Sequence, residues 1–163
     1  MSLNNESPYR ALYAAAGEQY GVSPDLLERQ GFAESSWNPE AVGPMTKYGQ
    51  ARGLAQFIRG TGKAYGLETD EDFHNPEKAI PAQARYMADL KKRFGGSEEL
   101  ALAAYNMGPT ALQRKLDRAG GVIENADIPE EIRSFGRTRV RHQSSPSSLS
   151  SRRSPCGPLR RSS

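Results

Sequence analysis

The sequence AESSWNP at residues 33–39 decides how this chain is interpreted. The residues before it, 26–32, carry apolar side chains at helical spacing, which places Glu34 at the end of a helix. Trp37 follows three residues later, and Pro39 ends any continuation of the helix. A carboxyl group in apolar, aromatic surroundings is a candidate proton donor, because such surroundings disfavour the anion and raise the pKa.

Two further blocks combine polar amides with apolar neighbours: GLAQF at residues 53–57 and AYNMGP at residues 104–109. A primary amide both donates and accepts hydrogen bonds, so Gln56 and Asn106 are candidate substrate-binding residues. Tyr105 has two interpretations, a hydrogen-bonding group near the carboxyl group or an aromatic residue of the core. With one acid, these blocks are typical of a site that holds a sugar and protonates a glycosidic oxygen.

The three blocks resemble, in the same order, those of the soluble lytic transglycosylase family, whose catalytic domain has a lysozyme-like fold. The resemblance covers about residues 10–135 and implies an enzyme that cleaves the MurNAc-GlcNAc β-1,4 bond of peptidoglycan. It also implies a mechanism in which Glu34 acts first as an acid and then as a base. The base step activates the C6 hydroxyl of MurNAc, which closes onto C1 and gives 1,6-anhydroMurNAc.

The resemblance assigns further residues to the site. It makes Ser35, which follows the catalytic glutamate, a substrate-binding residue together with Gln56, Tyr105 and Asn106. The sequence EIRSF at residues 131–135 resembles the family's Glu-Thr-Arg-x-Tyr block, which implies that Glu131 lines the cleft. A glutamate on the surface of a helix is the other interpretation of that position.

A hydrolytic alternative requires a second carboxylate, either as a nucleophile or as a base that activates water. The loop at residues 35–52 contains one acid, Glu40, with no motif around it. Goose-type lysozymes resemble this family and can place an aspartate in the corresponding loop, whereas this chain has none. The sequence therefore favours the one-carboxylate reaction over a muramidase. A non-catalytic glycan-binding or virion structural module is a third alternative, against which the intact Glu34 argues.

Helix start and stop signals in the first 135 residues predict a compact, all-α fold, and the family resemblance implies that this helical domain is lysozyme-like. Proline and serine start signals and glycine stop signals separate short helices, the longest at roughly 76–94. No convincing alternation of apolar and polar residues predicts a strand. Residues 40–52 are predicted to form a loop, and residues 54–58 a short buried helix.

The charge distribution divides the chain into unequal parts. Residues 136–163 contain seven arginines and no acid, which leaves 15 basic and 19 acidic residues in the first 135. The predicted organisation is an N-terminal extension at residues 1–7, a catalytic domain at 8–135 and a tail at 136–163. That tail, rich in Arg, Ser and Pro, is predicted to be disordered or out of frame, because its composition cannot bury a core.

The remaining expectations concern partners and location. His74 and His142 lie far apart without a cysteine or acidic cluster, so neither a metal site nor a cofactor is expected. The expected partner is the peptidoglycan glycan strand; nucleic acid is not expected, since the basic charge lies in the tail, and the domain is expected to be monomeric. The sequence predicts neither a membrane span nor a signal peptide. Action at the bacterial cell wall, periplasmic or extracellular, then implies a virion-associated enzyme or a fragment of an exported protein.

Overall fold

The structure, a computed structural model, describes residues 6–130 and 132–133. The α-helices and strands in chain order are α1 (Arg10–Tyr20), α2 (Pro24–Ser35), β1 (Val42–Thr46), β2 (Gly49–Arg52), α3 (Arg59–Ala64), α4 (Asp70–His74), α5 (Pro76–Arg93), α6 (Glu98–Met107) and α7 (Pro109–Arg118), followed by a short 3-10 helix (Ile123–Asn125). The predicted all-α class is confirmed, with one small sheet in addition. No described helix combines the length and the apolar composition that crossing a membrane requires.

Helix α5 forms the centre of the domain and contacts α1, α4 and α6, while α2 packs on α1 and α7 packs on α6. Its buried face carries Ile80, Ala84 and Met87, all fully buried, at the i, i+4, i+7 spacing of one helical stripe. Burial of each large apolar side chain contributes about 1.5–3 kcal/mol. The Asn75 side chain caps this helix by accepting a hydrogen bond from the backbone N–H of Glu77.

Helix α2 carries Glu34 in its last turn and ends one residue later than the predicted position. Ser36 and Trp37 both have positive φ, 54° and 59°, so the chain turns away immediately after Ser35. Their backbone N–H groups donate to the carbonyl oxygens of Phe32 and Gly31, which satisfies the end of the helix. The sharp turn leaves Glu34 at the helix end, next to the segment that follows the hairpin.

The prediction of a loop at residues 40–52 is wrong, because this segment forms an antiparallel hairpin. Strand β1 pairs with β2 in a register that matches Met45 with Gln50 and Thr46 with Gly49, with an irregularity between Val42 and Met45. The hairpin stands away from the core, so most of its residues are exposed or half-buried. A strand that buries neither face has no alternating pattern, which is why the sequence contained no strand signal.

The short helix predicted at residues 54–58 is also wrong. Gly53 and Gln56 have φ of 74° and 49°, which a helix cannot contain, and the backbone N–H of Gln56 donates to the Gly53 carbonyl to close a turn. Of the three residues that the sequence predicts to be core residues, Leu54 and Phe57 are buried, whereas Ile58 is half-buried and lines the cleft. The turn therefore packs apolar side chains inward and leaves Gln56 half-buried at the surface of the cleft.

Candidate active site

A cleft of about 730 Å³ lies between the hairpin and helix α7. Its described lining residues come from the end of α2, from the hairpin and α7, and from the segments between these two: Glu34, Thr46, Tyr48, Ala51, Gln56, Phe57, Ile58, Thr61, Tyr86, Tyr105, Asn106, Met107, Gly108, Pro109, Thr110, Ala111 and Arg114. The volume lies within the range of about 300–1,000 Å³ that is typical of small-molecule sites. The cleft is thus large enough for a short saccharide.

Glu34 is the only carboxylate among these described lining residues. Burial raises its pKa from 4.5 to about 7, and no described residue forms an ion pair or hydrogen bond with its side chain. Desolvation without a compensating donor favours the neutral carboxyl group. At neutral pH Glu34 is therefore present in both forms, so it can donate a proton and can also accept one.

Trp37 is expected from the sequence to supply the apolar surroundings of Glu34, but it does not line the cleft. Its indole N–H donates to the Glu28 carbonyl at 2.8 Å, and its ring packs against Phe32 with centroids 4.8 Å apart. Trp37 therefore fastens the turn at the end of α2 onto that helix. The apolar and aromatic surfaces of the cleft come instead from α5, α6 and the turn after the hairpin.

The Ser35 hydroxyl makes its contacts within the protein. It donates to the carbonyl oxygen of Leu54 at 2.8 Å and also lies 3.2 Å from the Gly31 carbonyl oxygen. Ser35 is half-buried and is not among the residues that line the cleft. These contacts join the end of α2 to the turn that carries Gln56, so they fix the position of Glu34 relative to the opposite wall.

Gln56 lines the cleft, and the N–H₂ group of its side-chain amide is hydrogen-bonded within the protein. Its amide N–H₂ donates to the carbonyl oxygens of Gly53, at 2.8 Å, and Ala41, at 3.3 Å. These bonds hold Gln56 in its positive-φ conformation and leave the amide oxygen as the remaining polar group. A Cβ on Gly43 would lie 3.0 Å from that oxygen, so the hairpin approaches Gln56 closely.

Gly53 is required by packing within the protein and not by a sugar. Its φ is 74°, and a Cβ at this position would lie 1.7 Å from the carbonyl oxygen of Phe73. Only glycine combines this backbone conformation with such a close approach. The backbone of helix α4 therefore occupies the space beside Gly53.

Tyr105 lines the cleft and packs in an aromatic cluster. Its hydroxyl donates to the Ala55 carbonyl at 2.8 Å, while its ring packs between Phe57 and Tyr86, with centroids 5.9 and 5.0 Å away. Burial, and secondarily the negative charge of Glu34, raises the pKa of Tyr105 well above its usual value. Tyr105 is therefore a neutral phenol close enough to Glu34 for the two groups to interact, and it forms part of the floor of the cleft.

Asn106 and Glu131 complete the set of predicted residues. Asn106 is exposed on the cleft side of α6, and its side chain forms no hydrogen bond within the described part of the chain. Glu131 lies outside the described residues. The structure thus brings Glu34, Gln56, Tyr105 and Asn106 to one cleft, and it places Ser35 behind it.

The sequence analysis did not single out several of the lining residues, among them Thr46, Tyr48, Tyr86 and Arg114. Tyr86 lies on α5 next to the buried face of the helix. A half-buried tyrosine is common at such a position, so the sequence did not mark it as a site residue. Thr46 and Tyr48 belong to the hairpin that the sequence did not reveal. Arg114 lies on α7 opposite the hairpin, and an exposed arginine on an amphipathic helix carries no signal in a single sequence.

The other acid of the Glu34 loop lies elsewhere. Glu40 is exposed, does not line the cleft, and has its carboxylate 3.9 Å from His74 Nδ1. The same ring nitrogen donates to the Pro39 carbonyl at 2.8 Å, so His74 serves to hold the loop. Within residues 6–130 and 132–133, no group of three His, Cys, Asp or Glu side chains is arranged to hold a metal ion.

The structure is thus a helical domain whose cleft contains one unpaired, half-buried carboxyl group beside amide and aromatic side chains. The Transglycosylase SLT domain model matches residues 11–128. The chain belongs to that family.

Two curated relatives illustrate the similarity. The chain is 36% identical over 150 residues to peptidoglycan transglycosylase gp16 of Escherichia phage T7, an alignment that covers 88% of this chain and 11% of that protein. It is 35% identical over 125 residues to membrane-bound lytic murein transglycosylase F 1 of Alkalilimnicola ehrlichii, covering 72% of this chain and 24% of the relative. The chain therefore spans a quarter or less of the length of these two relatives.

Solved structures show the same fold. An inactive mutant of lytic transglycosylase Slt from Pseudomonas aeruginosa superposes with a TM-score of 0.65 at 20% identity, covering 83% of this chain and 24% of that one. The 70-kDa soluble lytic transglycosylase of Escherichia coli superposes with a TM-score of 0.63 at 23% identity, covering 78% and 22%. At these identities the comparison concerns the fold alone.

Proposed function

We propose that this chain is a peptidoglycan lytic transglycosylase that cleaves the MurNAc-GlcNAc β-1,4 bond with formation of 1,6-anhydroMurNAc. The observation that carries the proposal is the unpaired Glu34 carboxyl group, whose pKa burial raises to about 7 in a cleft of saccharide size. Membership of the family and similarity to proteins named as transglycosylases support the substrate class.

In the first step, the protonated Glu34 carboxyl group donates its proton to the glycosidic oxygen. The bond between C1 of MurNAc and that oxygen breaks, and the GlcNAc side leaves with a free 4-hydroxyl group. A proton donor works best when its pKa lies near the working pH, because it is then both populated and acidic enough. The raised pKa of Glu34 meets this condition.

In the second step, the Glu34 carboxylate accepts the proton of the C6 hydroxyl while O6 bonds to C1 of the same sugar. The carboxyl group is regenerated, and no water is consumed. The reaction therefore needs one carboxylate, whereas an ordinary glycosidase needs two that flank the bond. Glu34 is the one carboxylate that lines the cleft among the described residues, which favours this scheme.

The other predicted residues receive proposed roles from their contacts. The Asn106 amide and the Gln56 amide oxygen are available to hydrogen-bond sugar hydroxyl or N-acetyl groups. Tyr105 provides an aromatic surface and helps to desolvate Glu34. Ser35 acts as a positioning residue through its bond to Leu54, and a contact between Glu131 and substrate stays a prediction.

The organisation of the chain is part of the proposal. Residues 8–135 would form the catalytic domain, which acts as a monomer at the bacterial cell wall, and residues 136–163 would not be needed for cleavage. Similarity to a phage transglycosylase supports a virion-associated role, and similarity to membrane-bound murein transglycosylases supports a periplasmic one.

The test is mass spectrometry of purified peptidoglycan digested with the full chain. The proposed reaction yields fragments ending in 1,6-anhydroMurNAc, about 18 Da lighter than hydrolysed ends because one water is not added. Fragments with only reducing MurNAc ends would identify a muramidase with a second catalytic group. Binding to peptidoglycan without any release of fragments would identify a non-catalytic glycan-binding module.

A further inference from the structure

The described lining of the cleft contains two ionisable groups other than tyrosines, Glu34 and Arg114. Glu34 is at the floor and is partly neutral near pH 7. Arg114 is exposed, and its guanidinium has no ion-pair or hydrogen-bond partner within the described part of the chain. An unpaired arginine presents a permanent positive charge and a planar set of donors that matches a carboxylate. The wall of the cleft formed by α7 therefore carries a free anion-binding group.

The helix holds Arg114 in this position by its amphipathic pattern. Thr110, Ala111 and Arg114 line the cleft at the i, i+1, i+4 spacing of one helical face. Leu112 and Leu116, on another face, are buried in the core. Packing of the two leucines thus fixes the rotation of α7, and Arg114 projects at the open rim opposite the hairpin.

The hairpin rim presents no competing anion. Thr46 and Tyr48 line the cleft there, and the Thr46 hydroxyl donates to the Gly49 carbonyl at 2.7 Å. The Lys47 ammonium group lies over the Tyr48 ring, 4.8 Å from its centroid, so this rim is also positive. Both rims favour an anionic group that projects from the cleft toward solvent, although the first 135 residues as a whole carry more acids than bases.

We infer that Arg114 binds a carboxylate of the stem peptide and so makes the enzyme prefer peptide-bearing glycan strands over bare ones. This inference rests on the proposed function, since it assumes that a MurNAc residue occupies the cleft. The stem peptide is attached to the lactyl group of MurNAc and carries free carboxylates, whereas the sugar rings of a bare strand are neutral apart from the lactyl group. A peptide leaving the sugar at an open rim meets the guanidinium in bidentate geometry.

The experiment compares two substrates from one preparation: glycan strands with their stem peptides, and the same strands after an amidase has removed the peptides. The full chain is assayed as wild type, Arg114→Gln, Arg114→Lys and Arg118→Gln. Arg118 is an exposed arginine on the same helix that does not line the cleft, so its variant controls for the change in net charge.

The Arg114→Gln variant is expected to raise KM for peptide-bearing strands about three- to tenfold, the range of an exposed but bidentate charge pair. Its KM for bare strands, whose only carboxylate is the lactyl group that the amidase exposes, is expected to rise less, so the preference for peptide-bearing strands narrows. Arg114→Lys recovers part of the loss, Arg118→Gln shows none, and the wild-type preference shrinks at high ionic strength. An equal loss on both substrates, or no loss on either, would overturn the inference.

Binding separates this inference from the proposed function. In the Glu34→Gln background, the affinities of fluorescently labelled peptide-bearing and bare strands are measured with and without Arg114→Gln. Selective weakening for peptide-bearing strands supports the inference even if the wild-type chain cleaves neither substrate, in which case the proposed function alone fails. If the wild-type chain cleaves normally and Arg114→Gln leaves the affinity for both kinds of strand unchanged, the role of Arg114 is rejected and the proposed function stands.

Discussion

Two carboxyl groups at helix ends have opposite surroundings in this domain. Glu34, in the last turn of α2, has no described partner, and burial raises its pKa to about 7. Asp72, in the first turn of α4, pairs with Lys78 and accepts hydrogen bonds from the backbone N–H groups of Glu68 and Thr69. These contacts, the bond from Lys78 first, lower the pKa of Asp72 to about 2.

The difference shows how one fold can stabilise the anion of one carboxyl group and the neutral form of another. Asp72 meets the positive end of a helix and a lysine, so its charge is stabilised and its proton is unavailable near neutral pH. Glu34 lies at the negative end of its helix, where neither the helix dipole nor a cation stabilises the anion. The partnered carboxylate stabilises structure, and the unpartnered one is available for proton transfer.

The largest expected effect comes from removing the proton of Glu34. Glu34→Gln keeps the size and shape of the side chain but cannot donate a proton, so cleavage of peptidoglycan should fall by at least about 100-fold. The matched control is Glu40→Gln, which removes the exposed acid of the following loop and should cleave at the wild-type rate. A Glu34→Gln protein with a large fraction of wild-type activity would remove Glu34 from the mechanism.

The next effect concerns the junction that faces Glu34. Gly53→Ala places a Cβ against the Phe73 carbonyl at positive φ, so the variant should lose about 2–4 kcal/mol of unfolding free energy. Gly60→Ala is the control, because Gly60 lies in α3 with open space around its Cβ position, and it should be neutral or stabilising. Chemical denaturation of both variants measures the difference. Equal stabilities would show that the backbone of α4 at Phe73 shifts easily to accommodate the methyl group.

Much of the helical framework was predictable from the sequence, since caps and stop residues act locally. The longest helix was predicted at roughly 76–94 and is observed at Pro76–Arg93, with Asn75 as its cap. The hairpin and the turn around Gln56 were not predictable in this way. Their conformations depend on tertiary contacts, such as the approach of Gly53 to Phe73, which leave no periodic pattern in a single sequence.

The candidate site was predictable from the sequence where a motif marks a residue, and not where tertiary packing alone brings a residue to the cleft. The motif containing Glu34 predicts a proton donor, but the pKa shift of Glu34 depends on burial produced by packed elements distant in sequence, among them the segment around Tyr105. Trp37 was expected beside the carboxyl group because it is near in sequence, yet the turn at Ser36 directs it back onto α2. Arg114 lines the cleft because of the way α7 packs on the core, which the sequence alone does not show.

The two carboxyl groups should make the free energy of unfolding depend on pH in opposite directions, because folding raises the pKa of Glu34 and lowers that of Asp72. Because the pKa of Glu34 is raised by folding, the folded state holds its proton more tightly, and stability decreases as pH rises from about 4.5 to about 7. The loss is at most about 3 kcal/mol, so Glu34→Gln should be more stable than wild type at pH 8.5 and about equal at pH 4. Thermal melts at the two pH values test this, and equal melting temperatures at pH 8.5 would mean that the carboxylate is well solvated.

The smallest effect concerns the cap that accompanies Asp72. The Thr69 side chain accepts a hydrogen bond from the Asp72 backbone N–H, and the Asp72 side chain accepts one from Thr69. Thr69→Ala should therefore cost about 1 kcal/mol of unfolding free energy without changing the rate of peptidoglycan cleavage. Thr69→Ser, which keeps the capping oxygen, serves as the control. A loss of cleavage at full stability would link α4 to catalysis and blur the distinction between the two carboxyl groups.

The most direct test of the account is a carbon-13 NMR titration of the side-chain carboxyl groups in the folded protein, assigned by comparison with Glu34→Gln and Asp72→Asn. The account predicts that the Glu34 carboxyl group titrates near pH 7 and that Asp72 remains ionised down to about pH 2. A Glu34 carboxyl group that titrates near its ordinary value of about 4.5 would contradict the central claim, because it would then be ionised at neutral pH and unsuited to donate the proton.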